Sequence, residues 1–165
     1  LASGELVLRT PRLKLTPLRL ADEPEHVRAS GRPDDAARDA RSADAHWREH
    51  GFGLWAVRDH ADGRFLGVAE LHFAGEGIDG IAADEVEAGW WVTEERRNEG
   101  IATEAMSAAI ADLWARTSYD AIAAYIDGAN PTSHRVAAKL GFAVRGPGRG
   151  RSGETMTVYE LHKGA

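Results

Sequence analysis

At 165 residues, 43% hydrophobic and 28% charged, the chain has the size and balance of a single soluble globular domain spanning 1–165. Cysteine is absent, which excludes disulfides, thiolate metal sites and passage of an acyl group through a cysteine thioester. The net charge of −6 weighs against nucleic acid as a partner and suits a cationic substrate such as an amine, although acidity also serves solubility alone. No apolar run approaches bilayer length and Leu1–Pro11 lacks a secretory apolar core, so no membrane association and a cytoplasmic location are expected.

In chain order, Leu6-Val7-Leu8 and Leu13-Lys14-Leu15 read as one extended segment broken at Thr10-Pro11-Arg12. Leu20 to His50 reads as two helices parted near Gly31-Arg32-Pro33. Leu54–Val57 and Phe65–Ala69 bracket Asp62-Gly63, a hairpin signal, and the Gly-rich stretch Ala74–Asp84 reads as a loop. Val86, Ala88, Trp90 and Val92 alternate with Glu87, Gly89 and Trp91 as a strand should. After Gly100 the period changes: Ile101, Ala105, Ala109 and Leu113 recur every four residues, which predicts a helix to about Arg116. Ala121–Ile126 is a further strand. Asn130 with Pro131 opens a helix that stops at Gly141. Phe142–Val144 and Met156–Leu161 read as strands around a Gly/Arg loop, giving a mixed α/β domain.

The chemistry concentrates where the strand ending at Val92 turns through Thr93–Gly100 into the helix. Backbone N–H groups at a helix start lack internal partners and carry partial positive charge, so they favour a phosphate. Gly100 and Ala102 are small enough to let one approach, and Arg97 adds a charge. An ordinary solvated strand–turn–helix connection explains this stretch equally well on its own.

Three further segments bear on that choice. Arg97-x-x-Gly100-x-Ala102 resembles the Q/R-x-x-G-x-G/A acetyl-CoA signature of the GNAT N-acetyltransferase superfamily, and Ile101-Ala102-Thr103-Glu104-Ala105 resembles the G-Y-A-T-E-A run of its RimJ/RimL-type branch. Asn130 to Phe142 is similar to that branch's N-x-x-S-x-x-V-x-x-K-x-G-F segment, and Leu8 to Leu15 to its L-x-T-P-R-L-x-L opening. The resemblance implies an α/β (α+β) GNAT fold: a twisted mixed sheet of six to seven strands with about four helices, and acetyl-CoA in the notch between the fourth and fifth strands. It implies a coenzyme site at Trp91, Val92, Thr93, Arg97, Asn98, Glu99, Gly100, Ile101, Ala102, Thr103, Asn130, Ser133 and Lys139, with Trp90–Val92 meeting pantetheine through their backbones. It implies direct attack of a primary amine, protein α-amine or small molecule, on the thioester, without a metal. A homodimer is an expectation from family analogy alone. Glu99 departs from the family loop, and its carboxylate should either point away from the pyrophosphate or weaken coenzyme binding.

An attacking ammonium must first lose a proton, and the coenzyme thiolate must be stabilised as it leaves. Glu87 is the leading base, since Glu85–Trp91 resembles the family's fourth strand, E-I-G-Y-W. Glu85, Glu70, a water relay and simple capture of the free amine are alternatives, and a solvated edge carboxylate is the inert reading. For the second task many GNAT enzymes use a tyrosine seven residues after the Asn, but Ala137 stands there. Ser133, three residues after Asn130, is the branch's counterpart, unless its hydroxyl serves only a local helix-start bond. Asn130 is open between capping, contacting pantetheine, or both, and Tyr125 is expected to be packed rather than catalytic. Leu20–His50 and the Arg145–Gly153 loop are expected to shape the acceptor pocket.

Two rivals remain. His46-Trp47-Arg48-Glu49-His50 matches H-x-x-E-H, a zinc-peptidase pattern, with no third ligand in evidence. A non-catalytic acetyl-CoA-binding module would keep the loop and lose turnover.

Overall fold

A computed structural model describes residues 5–165, so the first four residues of the Leu1–Pro11 stretch lie outside it. The strands are β1 (Leu8–Arg9), β2 (Leu13–Pro17), β3 (Trp55–Asp59), β4 (Phe65–Phe73), β5 (Val86–Val92), β6 (Ala121–Asp127), β7 (Ala143–Arg149) and β8 (Thr155–His162). The helices are α1 (Glu23–Ser30), α2 (Pro33–His50), α3 (Ile101–Arg116) and α4 (Pro131–Leu140). Among the described residues the strands form one mixed sheet in the order β1-β2-β3-β4-β5-β6-β8-β7. The expected fold is present, with eight strands rather than six or seven. The extra strand arises because Thr10 turns back on itself, its N–H donating to Leu13 O at 3.0 Å, and splits the opening segment into β1 and β2. No described helix is long and apolar enough to cross a membrane.

The chain divides into two compact units, and β4, β5 and α3 each contribute to both. The first holds the described residues up to Leu71 and Trp90–Ile110. There β2, β3 and β4 pair antiparallel, with a register shift between Val57 and Arg58. Leu18, Ala43, Leu54, Ala56, Phe65 and Val68 form a core cluster, against which Ala29 and Trp91 pack. The buried face of α2 (Ala36, Ala40, Ala43, Trp47) is small apart from Trp47, whose Nε1 donates to Leu54 O at 2.7 Å.

The second unit holds His72–Gly89 and Ala111–Ala165. Here β5 runs parallel to β6 in the register Glu87↔Ala123, and the helical connection α3 supplies the crossover that parallel pairing demands. β8 pairs antiparallel with both β6 and β7, and Ala74, Ile78, Ile81, Ala123 and Val158 form its core cluster, with Tyr125 packed on it. The Arg145–Gly153 stretch corrects the sequence expectation: its first five residues lie within β7. Gly146-Pro147-Gly148 hides this strand from pattern reading, and Pro147 is tolerated because β7 is an edge strand, where a missing N–H need not break a ladder.

Gly67 on β4 sets how closely β5 can lie alongside it. A Cβ there would run into the Trp91 carbonyl, while Thr93 N donates to Leu66 O at 2.8 Å just beyond. Gly67→Ala should therefore cost about 1–3 kcal/mol, the usual scale of overpacking. Urea unfolding checks this, and an unchanged midpoint would mean that β4 and β5 separate freely.

Candidate functional site

The strand-to-helix turn is built within the first unit. Val92 ends β5, Thr93 is buried beneath a single 3-10 turn over Glu94–Arg96, and the chain then passes through Asn98 (φ 62°) and Gly100 (φ 78°) into α3. Both positive φ values are needed to reverse the chain so tightly; Gly100 bears this without strain and Asn98 at modest cost. The amide of Glu104 donates to Gly100 O at 3.0 Å, so the N–H groups of Ile101, Ala102 and Thr103 stand at the open end of a 16-residue helix. A helix of that length concentrates about half a positive charge at this end. Arg97, Asn98, Glu99 and Gly100 are exposed around it, and a Cβ on Gly100 would meet only Arg12 Nη2, at 3.5 Å.

Two ion-pair systems engage Glu99 and Glu104, the carboxylates on either side of the helix start. Arg96 lies between Asp59 Oδ2 at 2.9 Å and Glu99 Oε2 at 3.0 Å, which ties the Glu99 carboxylate to Arg96. Glu104, in the first turn of α3, is held by Thr10 and Arg12. Arg97 donates from Nε to Val92 O at 3.2 Å, so that carbonyl, expected to meet pantetheine, has an internal donor here. The Trp91 side chain packs on the core near His26, at a ring distance of 5.7 Å.

His26 carries no sequence signal. It is 5% exposed, stacks on Phe65 at 5.5 Å, and its Nδ1 has no hydrogen-bond partner. Burial lowers its pKa, against the pull of Asp39 and Asp22, and favours the neutral ring. On the same unit, Glu70 of β4 is pushed up to about 7 by burial and by the like charge of Asp39.

The second unit holds the other nominated side chains. Glu87 is 6% exposed on a strand flanked on both sides, so it is not a solvated edge carboxylate. Glu85, an alternative base by sequence, receives Arg145 Nη2 at 2.8 Å and the Ala82 amide at 2.7 Å. The Arg145 bond holds its pKa below the ordinary value, which suits an anchor rather than a proton acceptor. Arg145 also reaches Gly80 O at 2.8 Å and Glu160 at 3.0 Å, and Arg151 reaches Ala74 O at 2.5 Å, Glu76 O at 3.2 Å and the Tyr125 hydroxyl at 3.3 Å. Together they fasten the Gly-rich Ala74–Asp84 loop to the end of the chain, which pattern reading does not reveal.

Asn130 caps α4, its Oδ1 accepting the Ser133 amide at 3.2 Å. Lys139 is exposed in the last turn of α4. The neighbouring His134 joins α4 to β8 and to the end of β6. Its Nε2 lies 3.0 Å from Asp127 O, an obligate acceptor, so Nε2 donates there, and its Nδ1 is hydrogen-bonded with the Tyr159 hydroxyl at 2.6 Å. The H-x-x-E-H residues do not assemble a metal centre. His46 Nδ1 lies 2.7 Å from Phe52 O, and no group of three or more potential metal ligands converges among the described residues.

Residues 5–143 match the family model of the acetyltransferase (GNAT) domain. A GnaT-family acetyltransferase structure from Bordetella pertussis is 25% identical, covering 94% of this chain and 98% of that one, with a TM-score of 0.84. An acetyltransferase from Agrobacterium tumefaciens str. C58 is 24% identical over 99% of this chain and 98% of that one, at 0.77. An acetyl transferase from Salmonella typhimurium, which modifies the N-terminal serine of ribosomal protein L7/L12, is 12% identical over 95% and 99%, at 0.74. No curated protein sequence matches the chain.

The raised Glu70 pKa has a consequence for stability. A carboxyl whose folded pKa exceeds its unfolded value contributes fully below the unfolded value, and that contribution is lost as pH rises through the folded one. Relative to Glu70→Gln, the wild type should lose stability between pH 4.5 and about 7. Denaturant unfolding across this range checks it; parallel curves for the two proteins would refute the shift.

Proposed function

The chain belongs to the GNAT acetyltransferase family, an acyltransferase family that uses acetyl-CoA, and from that premise we propose that it acetylates a primary amine by direct attack in a ternary complex. The observation that carries the coenzyme reading is the α3 start: free amides at Ile101, Ala102 and Thr103, no backbone crowding Gly100 and the Arg12 guanidinium beside it, and Glu99 and Glu104 tied to arginines. These features fit a pyrophosphate. Acetyl-CoA, when bound, supplies the acetyl thioester as electrophile and coenzyme A as leaving group. Arg97 and the amides of residues 101–103 hold the pyrophosphate, while Asn130 keeps the start of α4 in order for Ser133. The Ser133 hydroxyl donates toward the departing sulfur, the task that Ala137 cannot perform.

Glu87 removes the proton from the incoming ammonium. Its support is the strand resemblance together with its burial, which keeps it from bulk solvent. A second assignment has its own observation: Glu70, raised to about 7, matches the proton affinity that a base needs near neutral pH.

An α-amine of a protein N-terminus is the favoured acceptor. At pH 7 roughly one α-amine in ten is already neutral, against one lysine in a few thousand, so modest general-base help suffices. The structural neighbour that modifies an N-terminal serine works on the same class of amine.

A turnover screen with acetyl-CoA over N-terminal peptides, polyamines and aminoglycosides tests this reading, and peptides with a free α-amine should give the highest kcat/KM. Coenzyme A binding without turnover on any class would make the chain a binding module instead. On the best acceptor, Glu87→Gln should lower kcat about 10²-fold or more, most at low pH where less free amine is present. If Glu70→Gln has that effect and Glu87→Gln does not, the base is Glu70. Gly100→Val should raise the acetyl-CoA KM at least about tenfold, by straining the positive-φ turn and crowding the amides.

A further inference from the structure

A carboxylate in the first turn of a phosphate-binding helix competes with the incoming anion for the same positive field. Glu104 occupies that place on α3. It is not left to solvent. Its Oε1 accepts the Thr10 hydroxyl at 2.6 Å and the Arg12 amide at 3.0 Å, and its Oε2 accepts Arg12 Nε at 2.7 Å. The same guanidinium donates from Nη1 to the Glu99 carbonyl at 2.8 Å, so one arginine grips both the helix start and the turn before it.

Thr10 is itself held. Its Oγ1 accepts the Leu13 amide at 3.0 Å while its own N–H donates to Leu13 O at 3.0 Å. Pro11, with φ restricted by its ring, joins Thr10 to Arg12. Although burial pushes Glu104 upward, the Thr10 and Arg12 bonds hold its carboxyl below the ordinary value, so the bonded form is the ionised one. The contact spans 92 residues of sequence and lies wholly within the first unit. It fixes the Asn98–Gly100 turn, whose Asn98 is in a backbone region that side-chain-bearing residues seldom occupy (φ 62°).

We propose that Thr10 and Arg12 are positioning residues for acetyl-CoA, acting through the Glu104 carboxylate and the Glu99 carbonyl to hold the Asn98–Gly100 turn and the α3 amides ready for the pyrophosphate. This rests on the acetyl-CoA reading above and assigns a task to the Thr10-Pro11-Arg12 break that the coenzyme signature leaves out. A preformed turn binds its ligand without the cost of ordering it, so loosening the clamp weakens binding rather than the chemical step.

Glu104→Gln separates this role from simple electrostatics, because the two act in opposite directions. Removing a negative charge beside the pyrophosphate should by itself tighten coenzyme binding, whereas loss of the clamp should weaken it. We expect Glu104→Gln to raise the coenzyme A Kd, measured by titration calorimetry, about tenfold, the scale of one charge-assisted hydrogen bond. The acetyl-CoA KM should rise in step, with kcat at saturation within about twofold of wild type. Thr10→Val should raise the Kd about threefold; it leaves the Arg12–Glu104 ion pair in place and serves even if Glu104→Gln fails to fold. Arg12→Lys should bind more tightly than Arg12→Met, since a lysine holds Glu104 but cannot also reach the Glu99 carbonyl as the guanidinium fork does. Unchanged or tighter binding in Glu104→Gln or Thr10→Val overturns the clamp alone. A wild-type chain that does not bind coenzyme A overturns the functional reading and the clamp with it.

Discussion

Three peptide N–H groups at the start of α3 have to remain without internal acceptors, and much of the surrounding structure follows from keeping them so. An α-helix leaves its first amides unpaired in any case, but a surface helix normally gives them a capping side chain or water. Here Gly100 stands in the cap position and supplies no side chain, and the turn before it adopts two positive φ values. Such a turn relaxes unless it is held from outside. Arg96, anchored on Asp59, holds the Glu99 side chain, and Arg12 holds the Glu99 carbonyl. Each arginine also neutralises a carboxylate that would otherwise oppose an anion at the open amides.

The second unit uses arginine in a related way, to fasten loops. Arg145 and Arg151 reach back to carbonyls of the Ala74–Asp84 segment, and Arg145 neutralises both Glu85 and Glu160. Three glutamates of similar promise in the sequence thereby acquire different physical characters. Glu85 is an ion-paired anchor, Glu70 is driven toward neutrality by burial and a like charge, and Glu87 is enclosed on a doubly flanked strand. Proton affinity is a property of the surroundings, and these surroundings are assembled from residues distant in the chain.

The legible parts of the fold are those with a local cause. The α3 repeat at Ile101, Ala105, Ala109 and Leu113 is buried as its spacing requires, α4 opens at Asn130-Pro131, and the Asp62-Gly63 turn joins β3 to β4. Where two signals conflict, local reading fails. Gly146-Pro147-Gly148 has turn chemistry but is held as an edge strand by pairing with Thr157 and its neighbours on β8. At Thr10-Pro11 the break in the pattern was visible, yet the extra strand it creates was not.

By itself, the sequence determined the order of elements, the strand–turn–helix unit with its small residues at Gly100 and Ala102, and the family to which these belong. Each depends on periodicity, turn propensity or a short motif, all expressed within a few neighbouring residues. Only the tertiary structure decided which polar groups meet: Arg12 with Glu104, Arg96 with Asp59 and Glu99, Arg145 with Glu85 and Glu160, and His134 with Tyr159. An arginine carries no mark of its partner in its own segment. The pairing is made when backbone packing brings two distant side chains within about 3 Å, and from that point it governs their charge, their proton affinity and the shape of the turn they hold.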